Sequence, residues 1–200
     1  MLDPIRFYFD FSSPYGYFAA LKIDKLAAGF EREVTWHPIM LGAVMKITGS
    51  KPLSVIPFKS DYVKNDWSRL ARFMKIPWTM PDHFPIAALS ASRAFYWLVD
   101  KDPTLAKRLA LATYKTYFGH GKDITSFEIL VGIARSLGID QESFLLAIED
   151  SIIKQRLKDE TSKAIDSGVF GSPYFIIDGE AFWGADRLWM IKRWLQSGGW

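Results

Sequence analysis

Apolar positions recur along this chain on two periods, and the change from one to the other marks its organisation. Residues 5–9, Ile-Arg-Phe-Tyr-Phe, are aromatic and β-branched with one polar interruption, which predicts a short, largely buried strand. Over residues 15–28 the spacing lengthens: Tyr17, Phe18, Leu21 and Leu26 share a helical face, Pro14 suits a first turn, and Gly29 supplies a stop signal. Residues 33–38, Glu-Val-Thr-Trp-His-Pro, predict a second strand closed by proline. A strand, a helix and a strand within about 35 residues make a βαβ unit, whose strands run parallel.

From Leu41 to Ile165 the helical period dominates. Pro, Gly and Asp breaks separate helices over residues 60–74, 86–99, 104–118, 126–137, 141–149 and 151–166. The short period then returns in residues 174–177, Tyr-Phe-Ile-Ile. Asp178-Gly179 supplies the positive φ angles of a tight turn, residues 180–183 form the return strand, and a last helix covers 187–196. This order predicts an α/β fold: a thioredoxin-like core with a mixed four-stranded sheet, a parallel unit first and an antiparallel unit last. Residues 1–40 and 166–200 would form that core, and residues 41–165 a large all-helical insertion.

The chain has 200 residues and 49% apolar side chains, enough for a sizeable core. It contains no cysteine, which excludes disulfides, thiolate metal sites and any mechanism using a thiol of its own. The 25 basic and 22 acidic residues leave a charge of +3, with bases interspersed among acids as in residues 154–160, so nucleic acid is not an expected partner. No apolar run reaches the roughly 18 residues of a membrane span, and Asp3, Arg6 and Asp10 stand where a signal peptide needs an uncharged segment. A cytoplasmic protein without a membrane partner is expected.

Three segments could carry chemistry. Asp10-Phe11-Ser12-Ser13-Pro14-Tyr15 lies between a strand and a helix N-terminus, where backbone N–H groups favour an anion, although a serine there is equally an ordinary N-cap. Val169-Phe170-Gly171-Ser172-Pro173 precedes a strand; a cis bond at Pro173 would present the Ser172 backbone to a ligand, while a trans bond leaves a plain loop proline. Phe182-Trp183-Gly184-Ala185-Asp186-Arg187 leads into a helix with an acid and a base side by side, and Asp186 also suits a helix start. The histidines His37, His83 and His120 are too dispersed for a metal site, and without a Gly-x-Ser-x-Gly elbow His37 is read as structural rather than as a base for Ser13.

In combination these three segments resemble the glutathione transferase kappa class and the related 2-hydroxychromene-2-carboxylate isomerases, a branch of the DsbA-like thioredoxin superfamily. The resemblance covers nearly the whole chain and implies glutathione as cofactor, a small aromatic substrate and a homodimer. It implies that Ser13 stands where disulfide exchangers keep their attacking cysteine and contacts the glutathione sulfur. Ser172, before Pro173, would pair with the cysteinyl unit, and Trp183, Gly184, Ala185, Asp186 and Arg187 would hold the γ-glutamyl end, with Asp186 facing its ammonium. Trp36, Met45, Lys46, Ser50 and Phe84, with Trp67, are candidate substrate-lining residues. The sequence departs from the family where Gly49-Ser50-Lys51-Pro52 replaces a common Gly-Asn turn and Phe84 a tyrosine, which bears on the substrate more than on the cofactor.

The implied activity is isomerisation of 2-hydroxychromene-2-carboxylate to trans-o-hydroxybenzylidenepyruvate. The alternatives are a kappa-like transferase and, in another class, a non-catalytic binding module that has lost its cysteines. Lowering a thiol from near 8.5 by about two units takes roughly 2.7 kcal/mol. A hydroxyl donating to a thiolate contributes about 1.5–3 kcal/mol and a helix N-terminus about 0.3–1, so Ser13 suffices as a donor.

Overall fold

A computed structural model describes residues 3–200. Its sheet holds β1 Ile5–Phe9, β2 Val34–Pro38, β3 Tyr174–Ile177 and β4 Glu180–Trp183, in the spatial order β2-β1-β3-β4. β1 runs parallel to β2, with Phe7 opposite Trp36, and antiparallel to β3, with Phe7 opposite Phe175. β3 returns antiparallel as β4. Asp178 and Gly179 take φ of 53° and 87°, the two left-handed positions of a tight hairpin turn. The mixed sheet and the thioredoxin-like order of elements are as the pattern predicts.

The period of two in β1 sends Phe7 and Phe9 to one face and Tyr8 to the other. Phe7 stacks on Phe9 and on Phe175, each at 5.1 Å, and meets the edge of Trp36 at 5.1 Å. Tyr8, Tyr174 and Ile176 line the second face, covered by Ile39, Val44, Ala164 and Val169. Both faces are therefore dry, which explains the near-continuous apolar runs in β1 and β3.

The connection between β1 and β2 holds α1 Pro14–Ala20 and α2 Ile23–Ala28, where one helix over 15–28 was expected. α1 buries Gly16 through Ala20 on all sides, whereas α2 buries only Ile23 and Ala27. One straight helix cannot serve both surroundings, and the chain turns at Leu21 and Lys22. Gly29 caps α2 with a right-handed φ of −67°; the left-handed residue is Glu31, at φ 54°.

The helices that follow are α3 Leu41–Thr48, α4 Lys59–Met74, α5 Leu89–Val99, α6 Pro103–Tyr114, α7 Phe127–Ser136, α8 Gln141–Glu149 and α9 Ser151–Asp166. Side chains of Asp102, Ser126, Asp140 and Asp150 cap the starts of α6 to α9, which is why the sequence breaks marked them closely. α5 starts three residues later than the pattern indicates. α6 passes into a π-helical turn, Lys115–Gly119, instead of continuing regularly to residue 118. A single turn of 3-10 helix, Ala185–Arg187, leads into α10 Leu188–Ser197.

One apolar core joins Phe7, Phe9 and Phe175 of the sheet to Phe95, Tyr114 and Phe118 of the helices. Among the described residues, no helix is long and apolar enough to cross a membrane.

Candidate active site

The loop between β1 and α1 is held from inside by its own polar groups. Asp10, 9% exposed, accepts the Ser12 N–H on Oδ1 at 2.7 Å and the Leu41 N–H at the start of α3 on Oδ2 at 2.9 Å. Its carbonyl accepts the Ser13 N–H at 2.9 Å and the Tyr114 hydroxyl at 2.8 Å. Burial pushes the Asp10 carboxyl up from 3.8 to about 6, against the pull of the two N–H groups.

Ser13 is the N-cap of α1: its Oγ accepts the Gly16 N–H at 3.0 Å. The same hydroxyl donates to the Ser172 carbonyl at 2.9 Å, so it faces the second predicted segment across 159 residues of chain. The cap and the site position thus coexist in one side chain. The N–H groups of this helix start are largely engaged, contrary to the open array expected: Pro14 has none, Gly16 donates to Ser13 Oγ and Tyr17 to the Ser13 carbonyl. Among the described residues, no group accepts from the Tyr15 N–H.

The Ser172-Pro173 bond is cis. Ser172 Oγ accepts the Asp10 N–H at 3.0 Å, which locks the Pro173 loop onto the Ser13 loop. Among the described residues, the Ser172 N–H has no acceptor. The Pro173 carbonyl accepts the Gly184 N–H at 3.0 Å, bringing in the third segment. Gly184 sits at φ 110°, and a Cβ there would collide with the Asp186 carboxylate. The Ala185–Arg187 turn packs on α1.

Within that turn, Asp186 accepts from its neighbour Arg187 at 2.7 Å, with side chains 72% and 45% exposed. The carboxylate that the resemblance sets against a ligand ammonium is thus shared with a guanidinium, though both face solvent. Trp183 is exposed, lies over Gly171 so closely that a Cβ there would collide with its indole, and meets the edge of Phe170 at 4.9 Å.

The candidate lining residues disperse. Phe84 forms a cis bond to Pro85 and packs on Trp67 at 5.5 Å; the next residue, Ile86, donates its N–H to Ser12 Oγ at 3.2 Å, so this segment borders the Ser13 loop. With the Ile86 N–H given to Ser12, residues 86–88 lie outside α5, which starts at Leu89. Trp67 is buried beside Tyr15 at 6.2 Å, and among the described residues its Nε1 has no partner. Met45 is half-buried on α3, while Lys46 is exposed, as is Ser50 just beyond the helix, where it bonds Thr48 at 3.0 Å. Trp36 corrects the expectation: it is a core side chain, 3% exposed, with Nε1 donating to Asp24 at 3.0 Å.

His37 is the structural residue anticipated. It stacks on Tyr8 at 5.0 Å, on the sheet face away from α1, and bonds Thr35 at 2.9 Å. Burial lowers its pKa from 6.5 to about 4, so it stays neutral at ordinary pH. Among the described residues no three metal-ligating side chains cluster. A cavity of about 230 Å³ lies further along α1, against Tyr17, Leu21, Pro77 and Lys115, and another of about 190 Å³ lies beside β4, against Phe182, Trp183, Arg187 and Trp194.

Sequence reasoning placed Asp10 and Tyr15 in the first segment but gave neither of them, nor Gly16, a role of its own. An acid between a buried strand and two serines was a legible signal for Asp10. Gly16 carried none, because the group that forbids a Cβ there is Tyr114, nearly a hundred residues away. Tyr15, which follows Pro14, donates to Asp66 of α4 at 2.8 Å and anchors that helix beside the site.

Residues 4–196 match the model of the DSBA-like thioredoxin domain. The chain is 29% identical over 192 residues to 2-hydroxychromene-2-carboxylate isomerase of Pseudomonas putida, covering 94% of this chain and 92% of the relative. It is 28% identical over 208 residues to glutathione S-transferase kappa 1 of Caenorhabditis elegans, covering 98% and 92%. Among solved structures, a 2-hydroxychromene-2-carboxylate isomerase superposes with a TM-score of 0.88 at 25% identity, over 97% of this chain and 95% of that one.

Proposed function

The chain belongs to the DSBA-like thioredoxin domain family, and from that premise we propose that it is a glutathione-dependent isomerase of the 2-hydroxychromene-2-carboxylate type. The observation that carries the reading is a Ser13 hydroxyl set 2.9 Å from the Ser172 carbonyl, in a chain with no cysteine. A thiol used on this scaffold has to arrive with a ligand. The isomerase and kappa-class relatives, similar over almost their full length, support glutathione as that ligand.

The residues present fit a cysteinyl thiol. Among the described residues the Ser172 N–H has no acceptor, and it lies beside a carbonyl, a pair that a ligand peptide unit could bond as a strand does. Glutathione bound here would supply the sulfur nucleophile that adds to the unsaturated substrate and leaves again after bond rotation.

Ser13 has one hydroxyl proton and two acceptors to serve. To donate to a sulfur anion it must leave the Ser172 carbonyl, which is then free to accept from a ligand amide. The gain is a charge-assisted bond of about 1.5–3 kcal/mol less a neutral one of about 0.5–1.5, so about 1–2 kcal/mol net. α1 has seven residues and few open N–H groups, so its dipole adds toward the low end of about 0.3–1 kcal/mol. The thiol pKa then falls by about one to two units, less than the isolated sequence suggested.

Isothermal titration with glutathione and an absorbance assay on 2-hydroxychromene-2-carboxylate, with and without glutathione, test the reading. Millimolar-or-better binding and glutathione-dependent loss of the chromene are expected. Absence of binding at millimolar ligand rejects it in favour of a binding module. Accumulation of a stable conjugate assigns the chain to the transferase reading.

A further inference from the structure

Asp10 is the most connected polar residue of the site, and no role proposed so far uses its carboxylate. Its two oxygens serve two different elements. Oδ1 accepts from Ser12, in the loop that carries Ser13; Oδ2 accepts from Leu41, the first residue of α3. Met45 and Lys46, candidates for the substrate side, lie on α3 itself, and Ser50 just follows it. The N-cap of α3, Met40, offers no capping side chain of its own, and its N–H is accepted by Thr161 Oγ1 of α9 at 3.1 Å, which leaves the Leu41 N–H to Asp10.

We propose that Asp10 is a positioning residue: its carboxylate spans the thiol-side loop and the substrate-side helix and keeps the two in register. The inference rests on the glutathione reading above for what the register serves. Only a carboxylate can do this, because both partners are donors. An amide in its place offers one acceptor and one NH2 group, and the NH2 must face either Ser12 N–H or Leu41 N–H. The groups facing Asp10 are the phenols Tyr114 of α6 and Tyr117 of the π-helical turn, both pushed up by burial and neutral at ordinary pH. Among the described residues no cation acts on it, so the two N–H groups are its chief support. With a pKa of about 6, the carboxyl protonates just below neutrality, and one of the two bonds is then lost.

Two substitutions separate this role from general structural damage. Asp10→Asn places an NH2 against one N–H. Leu41→Pro removes the α3 N–H at a first helical position, where proline is well tolerated. With one buried donor misfaced, Asp10→Asn is expected to lower kcat/KM for the chromene about tenfold. In the Leu41→Pro background the same change should cost less than about twofold, because the amide then has one donor to satisfy and no clash. Backbone amide NMR reads the tether without substrate or glutathione: the Ser12 and Leu41 signals should titrate together near pH 6 in the parent and stay flat in Asp10→Asn. Independent titration of the two amides, or an equal cost of Asp10→Asn in both backgrounds, overturns the proposal. A parent that shows the amide behaviour but binds no glutathione overturns the proposed function and leaves the tether standing.

Discussion

At the scale of single residues, the site depends on side chains that do two things at once. Ser13 caps α1 and faces Ser172, so Ser13→Ala should show two separable losses. Loss of the cap costs about 0.5–2 kcal/mol of folding stability. Loss of the donor should raise the bound thiol's pKa and cut turnover at neutral pH by about 5- to 30-fold, the equivalent of about 1–2 kcal/mol. Thiolate absorbance of the glutathione complex against pH measures the first effect, and an unshifted titration would refute the donor role. Asp10 and His37 are coupled to stability in opposite senses. Asp10, raised to about 6, contributes stability that is full below 3.8 and lost as pH rises through 6. His37, lowered to about 4, contributes stability present above 6.5 and lost as pH falls through 4. The Asp10 and His37 shifts each correspond to about 3 kcal/mol, so over the shared window of pH 4 to 6 they nearly cancel and the parent's stability should be almost flat. Substituting His37→Gln should uncover Asp10: urea stability then falls from pH 4 to 7. A His37→Gln stability that rises over that interval contradicts the Asp10 assignment, and a parent that is not flat contradicts the cancellation.

Elements meet at the site through close approaches that tolerate no extra atom. α1 reaches α6 at Gly16, where a Cβ would stand 2.6 Å from the Tyr114 hydroxyl and 3.1 Å from Ser172 Oγ. The Tyr114 hydroxyl is committed to the Asp10 carbonyl at 2.8 Å and cannot step aside cheaply. Gly16→Ala should therefore cost about 1–3 kcal/mol by overpacking. Tyr114→Phe in the same chain removes the obstructing oxygen and should recover part of that loss, a coupling that a double-mutant cycle in urea can read. Strictly additive costs would place the strain elsewhere. The division of α1 from α2 follows from packing as well: the first helix is enclosed by Tyr114, Phe118 and Trp78, whereas the second lies on the sheet with one side to solvent.

For the whole molecule, one core runs from Phe175 through Phe9 to Tyr114 and Phe118. The sheet and the helices between its strands are therefore expected to unfold together. Circular dichroism and the fluorescence of the eight tryptophans, which include Trp36 in the sheet and Trp67 and Trp97 in the helices, should give one coincident transition. Two transitions would mean that the 41–165 helices form a domain of their own. Glutathione at 100 times its dissociation constant should raise unfolding free energy by about 2.7 kcal/mol, visible as a higher midpoint of that one transition.

Sequence alone determined what depends on neighbouring residues. The periods of β1 and of the β3–β4 hairpin, the Asp178-Gly179 turn and the capped starts of α6 to α9 are local signals, and each is where the pattern indicated. The absence of cysteine, so that any thiol used here must come with a ligand, is likewise a fact of composition. Tertiary structure decided the rest, because it depends on groups far apart in the chain. Which serine proton goes to which carbonyl, that Trp36 is core and not pocket, that Gly16 must stay bare and that Asp10 links a loop to α3 all follow from approaches made only when the sheet closes. A lone serine before a helix is an N-cap by default. It becomes a candidate for holding sulfur only once Ser172, Pro173 and Gly184 are hydrogen-bonded around it.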